Sequence, residues 1–262
     1  RGVAETARRL ASRVGHYTFI SSISVYADPV PVGADESAPL ATLADPAVET
    51  MSGETYGALK VLCEQEVESA LPGRALHVRA GLLVGPWDYT DRFGYWVRRL
   101  AEGGDVLVPD VPDQPIQWID ARDAAAWIVL QAETGTAGVF NVTGPREPAT
   151  LGDFVEQLRA TVGATANLVP VSPGFLSGQG VEPWMEMPMW IPDVVGFLSL
   201  SISRALEHGL TLRPLSATCR DTHEWLRGEG RNVKPSTITA LPPHASLTRG
   251  RERELLAAWA AR

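Results

Sequence analysis

The sequence predicts an α/β fold built on a parallel sheet, and two patterns support this. Helix-like and strand-like segments alternate from about residue 3 to residue 144, an order typical of α/β proteins. One strand, within residues 75–85, is an almost continuous apolar run, as expected when helices cover both faces of a sheet. We therefore expect a doubly wound parallel sheet, followed from Thr150 by a small second domain of short, proline-broken pieces.

The first part of the chain predicts two helices separated by a strand and a long loop. Residues 3–14 place apolar side chains at helical spacing, and residues 16–22 are rich in aromatic and β-branched side chains. A loop rich in proline and acidic residues follows at 27–53. The next helix spans 55–71 and ends at a Pro-Gly pair.

The remaining elements continue the alternation and then become shorter. In chain order, we expect a helix over 93–101, a strand over 106–108, a helix over 121–132, a strand over 138–144, helices over 151–161 and 214–227, and a charged helix over 251–262.

Composition excludes several classes of protein. The 262 residues carry a net charge of −8, which argues against nucleic acid or anionic lipid as the main partner. Two cysteines, Cys63 and Cys219, are too few for a disulfide scaffold and suit a reducing cytosol. No apolar run reaches the roughly 18 residues that a membrane-spanning helix needs. We expect a cytoplasmic protein that acts on a small molecule, with neither nucleic acid nor membrane as a partner.

Tyr56 and Lys60 form the strongest chemical signal. They lie four residues apart on a predicted helix and therefore share one face. An ammonium beside a phenol favours the phenolate and lowers a phenol pKa that is ordinarily about 10. Such a tyrosine can exchange a proton with a substrate oxygen at neutral pH. A solvated helix face is the plain alternative, but the chain has lysine at positions 60 and 234 alone, which makes a chance pairing rare.

A second signal is a group of serines at a strand end. Ser22 and Ser24 stand at the carboxyl end of the predicted 16–22 strand, the edge at which ligands bind in open α/β sheets. A serine there can donate a hydrogen bond to a substrate oxygen. Serines satisfied by the local backbone are the alternative interpretation.

Together these features resemble the short-chain dehydrogenase/reductase superfamily: serines at a strand end, a long loop, and the pattern YxxxK (Tyr56 to Lys60) on the next helix. The long loop and the segment RAGLLVGP at residues 79–86 resemble its extended branch of NAD(P)-dependent epimerases, dehydratases and reductases. The likeness runs from about residue 3 to residue 228.

The resemblance implies a domain organisation. Residues 1–148 would be what remains of a Rossmann-type, NAD(P)-binding domain, with 87–114 contributing to the substrate side. Residues 149–228 would form a C-terminal substrate-binding domain and residues 229–262 a tail. Because family members often pair through the helix that bears the tyrosine, a homodimer is a further expectation.

The resemblance also implies roles for single residues. Tyr56 would be the catalytic acid/base, and Lys60 would hold the nicotinamide ribose and tune the tyrosine. Ser22 would orient the substrate, with Ser24 as a second candidate. The implied reaction is hydride transfer at a carbon that bears a hydroxyl or carbonyl. Epimerisation, in which the hydride returns to the other face, stays open, as does a non-catalytic binding or regulatory protein.

The cofactor would be NAD or NADP, and no residue decides between them. The backbone of Gly81, Leu82 and Leu83 would face its nicotinamide end. The alternative interpretation of this segment is a buried strand followed by a Gly-Pro turn, without any role in cofactor binding.

Three charged residues are candidates for contact with a polar substrate: Asp91, Arg92 and Arg122. Each has an oppositely charged neighbour in sequence, so surface ion pairs are the alternative.

Two departures from the family pattern carry expectations of their own. Dehydratases of this branch place an Asp-Glu pair directly after the orienting Ser/Thr, where this chain has Ile23 and Ser24, so that type of dehydratase is not expected. No glycine-rich turn for a pyrophosphate precedes residue 15. We expect that about 80 residues, two to three βα units, are missing before Arg1. We also expect that the chain as given binds no dinucleotide tightly and is inactive.

Overall fold

A computed structural model describes residues 2–45, 47–88, 90–163, 165–192, 196–228 and 246–262. The helices and strands are, in chain order, α1 (Gly2–Leu10), β1 (Tyr17–Ser22), α2 (Tyr56–Ala70), β2 (Ala75–Ala80), β3 (Leu83–Val84), α3 (Arg92–Ala101), β4 (Gly104–Pro109), β5 (Pro115–Ile116), β6 (Ile119–Asp120), α4 (Ala121–Thr134), β7 (Gly138–Val142), β8 (Ala149–Thr150), α5 (Leu151–Val162), β9 (Ala166–Val171), α6 (Pro173–Gly178), α7 (Ser203–Glu207), α8 (Leu215–Arg227) and α9 (Arg249–Ala260).

The chain divides into two compact units. Unit 1 comprises residues 1–83, 117–147 and 194–212. Unit 2 comprises residues 84–116, 148–193 and 213–262.

Unit 1 contains the parallel sheet that the sequence predicts. Its strand order is β1-β2-β7, and both pairs of neighbours are parallel. All six residues of β2 are buried, in agreement with its almost continuous apolar pattern. β2 is therefore the central strand of this sheet.

Cross-strand rows of side chains alternate between the two faces of the sheet. Ile20, Val78 and Phe140 form one row. Val78 and Phe140 belong to an apolar cluster with Trp127 of α4 and Leu210, so this row faces the α4 side. The next row along each strand points to the opposite face.

Helix α2 covers that opposite face. Phe19 of β1 and Ala75 of β2 form an apolar cluster with Val67 and Leu71 at the end of α2 and with Ala7 of α1. Helices thus lie on both faces of the sheet, and the doubly wound α/β fold class is confirmed.

The predicted loop after the first strand is also present. Between Val25 and Tyr56, the described residues form no helix or strand, and an isolated bridge pairs Tyr26 with Leu40. Further backbone hydrogen bonds hold this loop, including those from the Ala27 and Ala41 N–H groups.

Unit 2 has a parallel pair of strands of its own, β4 and β9. Helices α3 and α5 pack together through Phe93 and Phe154, whose ring centroids lie 5.9 Å apart. A capping box between Thr150 and Asp153 begins α5. β9 was not predicted, because Pro170 and the polar Asn167 within it obscure the strand pattern.

The predicted C-terminal helix is α9, which belongs to unit 2. Its Glu252 is buried and pairs with Arg99 of α3, Nε to Oε2 at 2.7 Å. Glu252 also accepts a hydrogen bond from the Leu107 N–H of β4 at 3.0 Å. Residues 229–245 of the predicted tail lie outside the described residues.

Candidate active site

The turn after β1 carries the two candidate serines. Ser22 is the N-cap of a short 3-10 helix over residues 23–25, and its Oγ accepts a hydrogen bond from the Ser24 N–H at 3.1 Å. The two hydroxyl oxygens also lie 3.1 Å apart. The backbone-satisfied arrangement that the sequence left open is therefore present, and both hydroxyls remain at the carboxyl end of β1.

Gly57 brings α2 against this turn. A Cβ atom at this position would lie 2.0 Å from the Ser24 carbonyl oxygen, far inside van der Waals contact. The absence of a side chain at Gly57 therefore permits an approach that alanine would prevent. The glycine directly follows Tyr56, so this contact brings the start of α2 to the serine turn.

Lys60 lies between β1 and the Tyr56 ring. Its Nζ donates a hydrogen bond to the Ile20 carbonyl oxygen at 2.8 Å and lies 5.8 Å from the centroid of the Tyr56 ring. The Phe19 ring centroid is 5.0 Å away. Burial lowers the pKa of Lys60 below its ordinary value, although Cys63 and Glu64 act in the opposite direction. The lysine and the aromatic ring of the tyrosine thus share one face of α2.

The backbone after β2 is partly engaged in unit 1. The Gly81 N–H donates to the Val142 carbonyl oxygen at 3.0 Å, and the Leu82 carbonyl oxygen accepts from the Ile119 N–H at 2.9 Å. The Leu83 side chain is exposed. These three residues remain a prediction for the cofactor contact.

A buried polar network, which the sequence did not reveal, lies beside these residues. Arg79 of β2 donates from Nε and Nη2 to the two carboxylate oxygens of Glu64 on α2, at 3.1 and 2.9 Å. Its Nη1 donates to the Tyr26 hydroxyl oxygen at 3.1 Å, and that hydroxyl donates to the Asn141 Oδ1 at 2.5 Å. The available signal was an arginine inside a largely apolar strand, a position that requires a partner.

Burial has opposing effects on the ionisable members of this network. It raises the pKa of the Tyr26 phenol, while the Arg79 guanidinium acts against the shift. Burial alone would lower the pKa of Arg79, but the hydrogen bonds and the charge of Glu64 raise it overall. Tyr26 is therefore neutral and Arg79 charged at neutral pH.

Two of the three candidate substrate residues form ion pairs, and the third lies against an aromatic ring. In unit 1, Arg122 binds Asp120, the N-cap of its own helix, with Nη2 to Oδ2 at 2.7 Å. In unit 2, Asp91 accepts from the Arg98 Nη1 at 2.7 Å. The Arg92 guanidinium lies 4.4 Å from the centroid of the Trp184 ring. A role in substrate binding remains a prediction for Asp91, Arg92 and Arg122.

Metal-binding clusters and membrane-spanning helices are both absent from the described residues. No group of three or more His, Cys, Asp or Glu side chains there is arranged to hold a metal ion. No helix in the described part of the chain is long and apolar enough to cross a membrane.

Comparison with solved structures establishes the fold. Bordetella bronchiseptica WbmG, in complex with NAD and UDP, matches 92% of this chain and 69% of its own at 19% identity and a TM-score of 0.63. UDP-glucose 4-epimerase from Thermotoga maritima, with UDP-glucose, matches 87% of this chain and 69% of its own at 18% identity and a TM-score of 0.63.

A reductase shares the same fold. The dTDP-4-dehydrorhamnose reductase of Bacillus anthracis, in complex with NADP, matches 86% of this chain and 69% of its own at 18% identity and a TM-score of 0.58. These relatives confirm the predicted Rossmann-type fold. No curated protein matches the chain.

The model of the NAD dependent epimerase/dehydratase family matches residues 1–143. This match covers more than half of the chain and includes the serine turn, Tyr56 and Lys60. It agrees with the resemblance to extended short-chain dehydrogenases/reductases, and the chain belongs to the NAD dependent epimerase/dehydratase family.

Proposed function

We propose that this protein catalyses NAD(P)-dependent hydride transfer at a hydroxyl- or carbonyl-bearing carbon of a small molecule, with Tyr56 as the group that moves the proton. The observation that carries the proposal is the position of the Lys60 Nζ, which lies 5.8 Å from the centroid of the Tyr56 ring. This ammonium is at the carboxyl end of β1, the end that bears Ser22. An ammonium there stabilises a phenolate and so helps the tyrosine release a proton near neutral pH.

The residues at this site fit the nicotinamide ribose end of such a cofactor. Lys60 brings an ammonium, whose burial is compensated by one backbone carbonyl, and it has further N–H groups to offer to ribose hydroxyls. The backbone after β2, at Gly81, is the proposed neighbour of the nicotinamide. When bound, the cofactor would supply the hydride chemistry, while the protein supplies placement and proton transfer.

The serine turn would hold the reacting oxygen of the substrate. Ser22 and Ser24 each carry a hydroxyl that can donate to one oxygen and accept from another. The Ser22 Oγ accepts the Ser24 N–H and donates its own proton to the Ser24 Oγ, so its orientation is fixed by the turn. The Ser24 hydroxyl keeps its proton to donate to a substrate oxygen, and Ser22 could donate there only by giving up its bond to Ser24.

We propose a nucleotide-linked sugar as the substrate. Support comes from solved relatives of the same fold that contain UDP or UDP-glucose. Epimerisation and net reduction both use hydride transfer, and both kinds of enzyme occur among these relatives. A substrate-dependent change in NAD(P)H absorbance would indicate reduction or oxidation. Inversion of a sugar carbon without that change would indicate epimerisation.

Dehydration of the type that uses an Asp-Glu pair does not fit the site. The position directly after Ser22 holds Ile23, which is buried and has an alkyl side chain. An alkyl group cannot protonate a departing hydroxyl. Ser24, at the second position of the pair, is not an acid at neutral pH.

The decisive experiment replaces Tyr56 by Phe, which removes the phenolic oxygen and keeps the ring. We expect kcat to fall by about 10²- to 10⁴-fold, the usual contribution of a general acid or base. Because the 262-residue chain is expected to be inactive, turnover would be measured in the protein extended by the expected N-terminal βα units, with NADH or NADPH and a panel of UDP- and dTDP-linked hexoses, and cofactor affinity by NADH fluorescence. Tyr17→Phe, on β1, is the matched control. An unchanged kcat in Tyr56→Phe, with the wild type active, refutes the assignment.

A further inference from the structure

Lys60 and Glu64 have the spacing of a helical ion pair but do not form one. They are four residues apart on α2, the spacing at which a lysine and a glutamate lie side by side. In the described part of the chain, the structure shows the Lys60 Nζ on the Ile20 carbonyl oxygen and the Glu64 carboxylate on Arg79 instead. Arg79 therefore binds the carboxylate that would otherwise be within reach of Lys60.

The geometry of the contact between Arg79 and Glu64 favours arginine over lysine as the partner of this carboxylate. Two parallel N–H groups of the guanidinium meet two carboxylate oxygens, at 3.1 and 2.9 Å. This two-point geometry is available to arginine and not to lysine. The side chains of Arg79 and Glu64 are 3% and 8% exposed, so water screens their attraction little.

The same guanidinium also holds the element that bears the serines. Its Nη1 donates to the Tyr26 hydroxyl, and the Tyr26 N–H closes the 3-10 turn on the Ile23 carbonyl oxygen at 3.4 Å. That turn begins at Ser22. One side chain on the central strand thus contacts both α2 and the residue that ends the serine turn.

We infer that Arg79 is a positioning residue for Lys60: by binding the Glu64 carboxylate at two points, it keeps that carboxylate from pairing with Lys60 and leaves the ammonium on the Ile20 carbonyl oxygen at the end of β1. The inference rests on the proposed function for the significance of Lys60, but the contact competition can be tested without any turnover. Arg79 acts through Glu64 and is not itself proposed to touch the substrate.

The lysine content of the chain makes the test direct. With lysine at positions 60 and 234 alone, incorporation of ¹³Cε-labelled lysine gives two side-chain resonances. The variant Lys234→Arg leaves the Lys60 signal and assigns it. Titration of that resonance with pH then reports the pKa of Lys60 in the full chain, which we expect to be below the ordinary value of 10.5.

The two partners of the ion pair should shift this pKa in opposite directions. In Arg79→Gln, the released Glu64 carboxylate pairs with Lys60, and its pKa rises. In Glu64→Gln, a negative neighbour is lost and the Arg79 cation is left uncompensated, so the Lys60 pKa falls. We expect each shift to change the ratio of charged to neutral Lys60 at a fixed pH by about threefold or more, which is half a pKa unit.

A general loss of packing around Lys60, without any change in pairing, would shift the Lys60 pKa differently. It would hydrate Lys60 in both variants and raise its pKa in both toward 10.5. A rise in both variants, or no shift in either, overturns the inference. If Arg79→Gln does not fold, as judged by circular dichroism, Arg79→His takes its place, because it adds no lysine resonance. A histidine at position 79 holds the carboxylate less well than arginine does, so a smaller rise is expected.

Turnover separates this inference from the proposed function. If Tyr56→Phe leaves kcat unchanged, the proposed function fails, while the opposite shifts of the Lys60 pKa can still be observed. If Tyr56→Phe lowers kcat but both variants raise the Lys60 pKa, the proposed function stands and the role of Arg79 fails.

Discussion

At the scale of single residues, the candidate site depends on one close backbone approach. Gly57 lies where α2 meets the serine turn, with its missing Cβ directed at the Ser24 carbonyl. The neighbouring atom is backbone, which cannot rotate away as a side chain can. Any larger residue must therefore move α2, and with it Tyr56 and Lys60, away from the turn.

We expect Gly57→Ala to lower both stability and turnover. Overpacking of this kind typically costs about 1–3 kcal/mol, and displacement of the helix separates the proton-transferring group from the substrate. Thermal unfolding would be measured in this chain, and kcat in the protein extended by the expected N-terminal βα units. Gly53→Ala is the control, because a Cβ at Gly53 meets no atom within 4 Å. Wild-type values for Gly57→Ala would show that the close approach is not needed.

Some contacts of this site can be predicted from the sequence and others cannot. Tyr56 and Lys60 stand four positions apart on one helix, so the local repeat of the helix alone places them together. Arg79 and Glu64 lie on different elements, 15 positions apart, and their contact depends on how α2 packs on the sheet. The same holds for the contact between Tyr26 and Asn141, across 115 positions. Local patterns do not specify such pairs.

At the scale of elements, prediction is most accurate where one pattern is strong. α2 is observed at Tyr56–Ala70 against a predicted 55–71, because apolar spacing and a Pro-Gly stop agree. α1 ends at Leu10 rather than at Val14, since the Leu10 carbonyl accepts from the N–H groups of both Arg13 and Val14 and the chain turns there. The reason is the turn geometry, which side-chain periodicity does not report.

The docking of α9 in unit 2 gives an element-scale prediction. Glu252 is 1% exposed and binds Arg99, which is 3% exposed, so Glu252→Gln leaves a buried guanidinium without its counter-charge. Removal of one partner of a buried pair typically costs about 3–5 kcal/mol. Thermal unfolding should show a clear fall in Tm for this variant. Glu254→Gln, at an exposed position of the same helix, should unfold as the wild type does. Equal Tm values for the two variants would contradict the importance of this contact.

At the scale of the whole molecule, charge separates an enzyme from a nucleic-acid-binding member of the same fold. The net charge of −8 gives no general attraction for a polyanion. A non-catalytic protein that binds RNA would instead depend on released counterions and lose affinity steeply with added salt.

We therefore expect no binding to RNA at physiological salt. A fluorescently labelled single-stranded RNA and a structured RNA would be titrated with the protein at about 50 and 200 mM salt. Anisotropy should stay flat in both conditions. Binding at the lower salt that disappears at the higher would instead support the non-catalytic alternative, and it would do so whatever the outcome for Tyr56→Phe.

The position of Lys60 within α2 has a consequence for proteolysis. A protease specific for lysyl bonds can cut this chain after residues 60 and 234 alone, and the first of these bonds is followed by Val61, which is buried in a helix. A protease cannot accept a helical bond until the segment unwinds. The rate at which the fragment 1–60 accumulates would therefore report how often α2 unwinds. A ligand that binds at Lys60 should lower this rate.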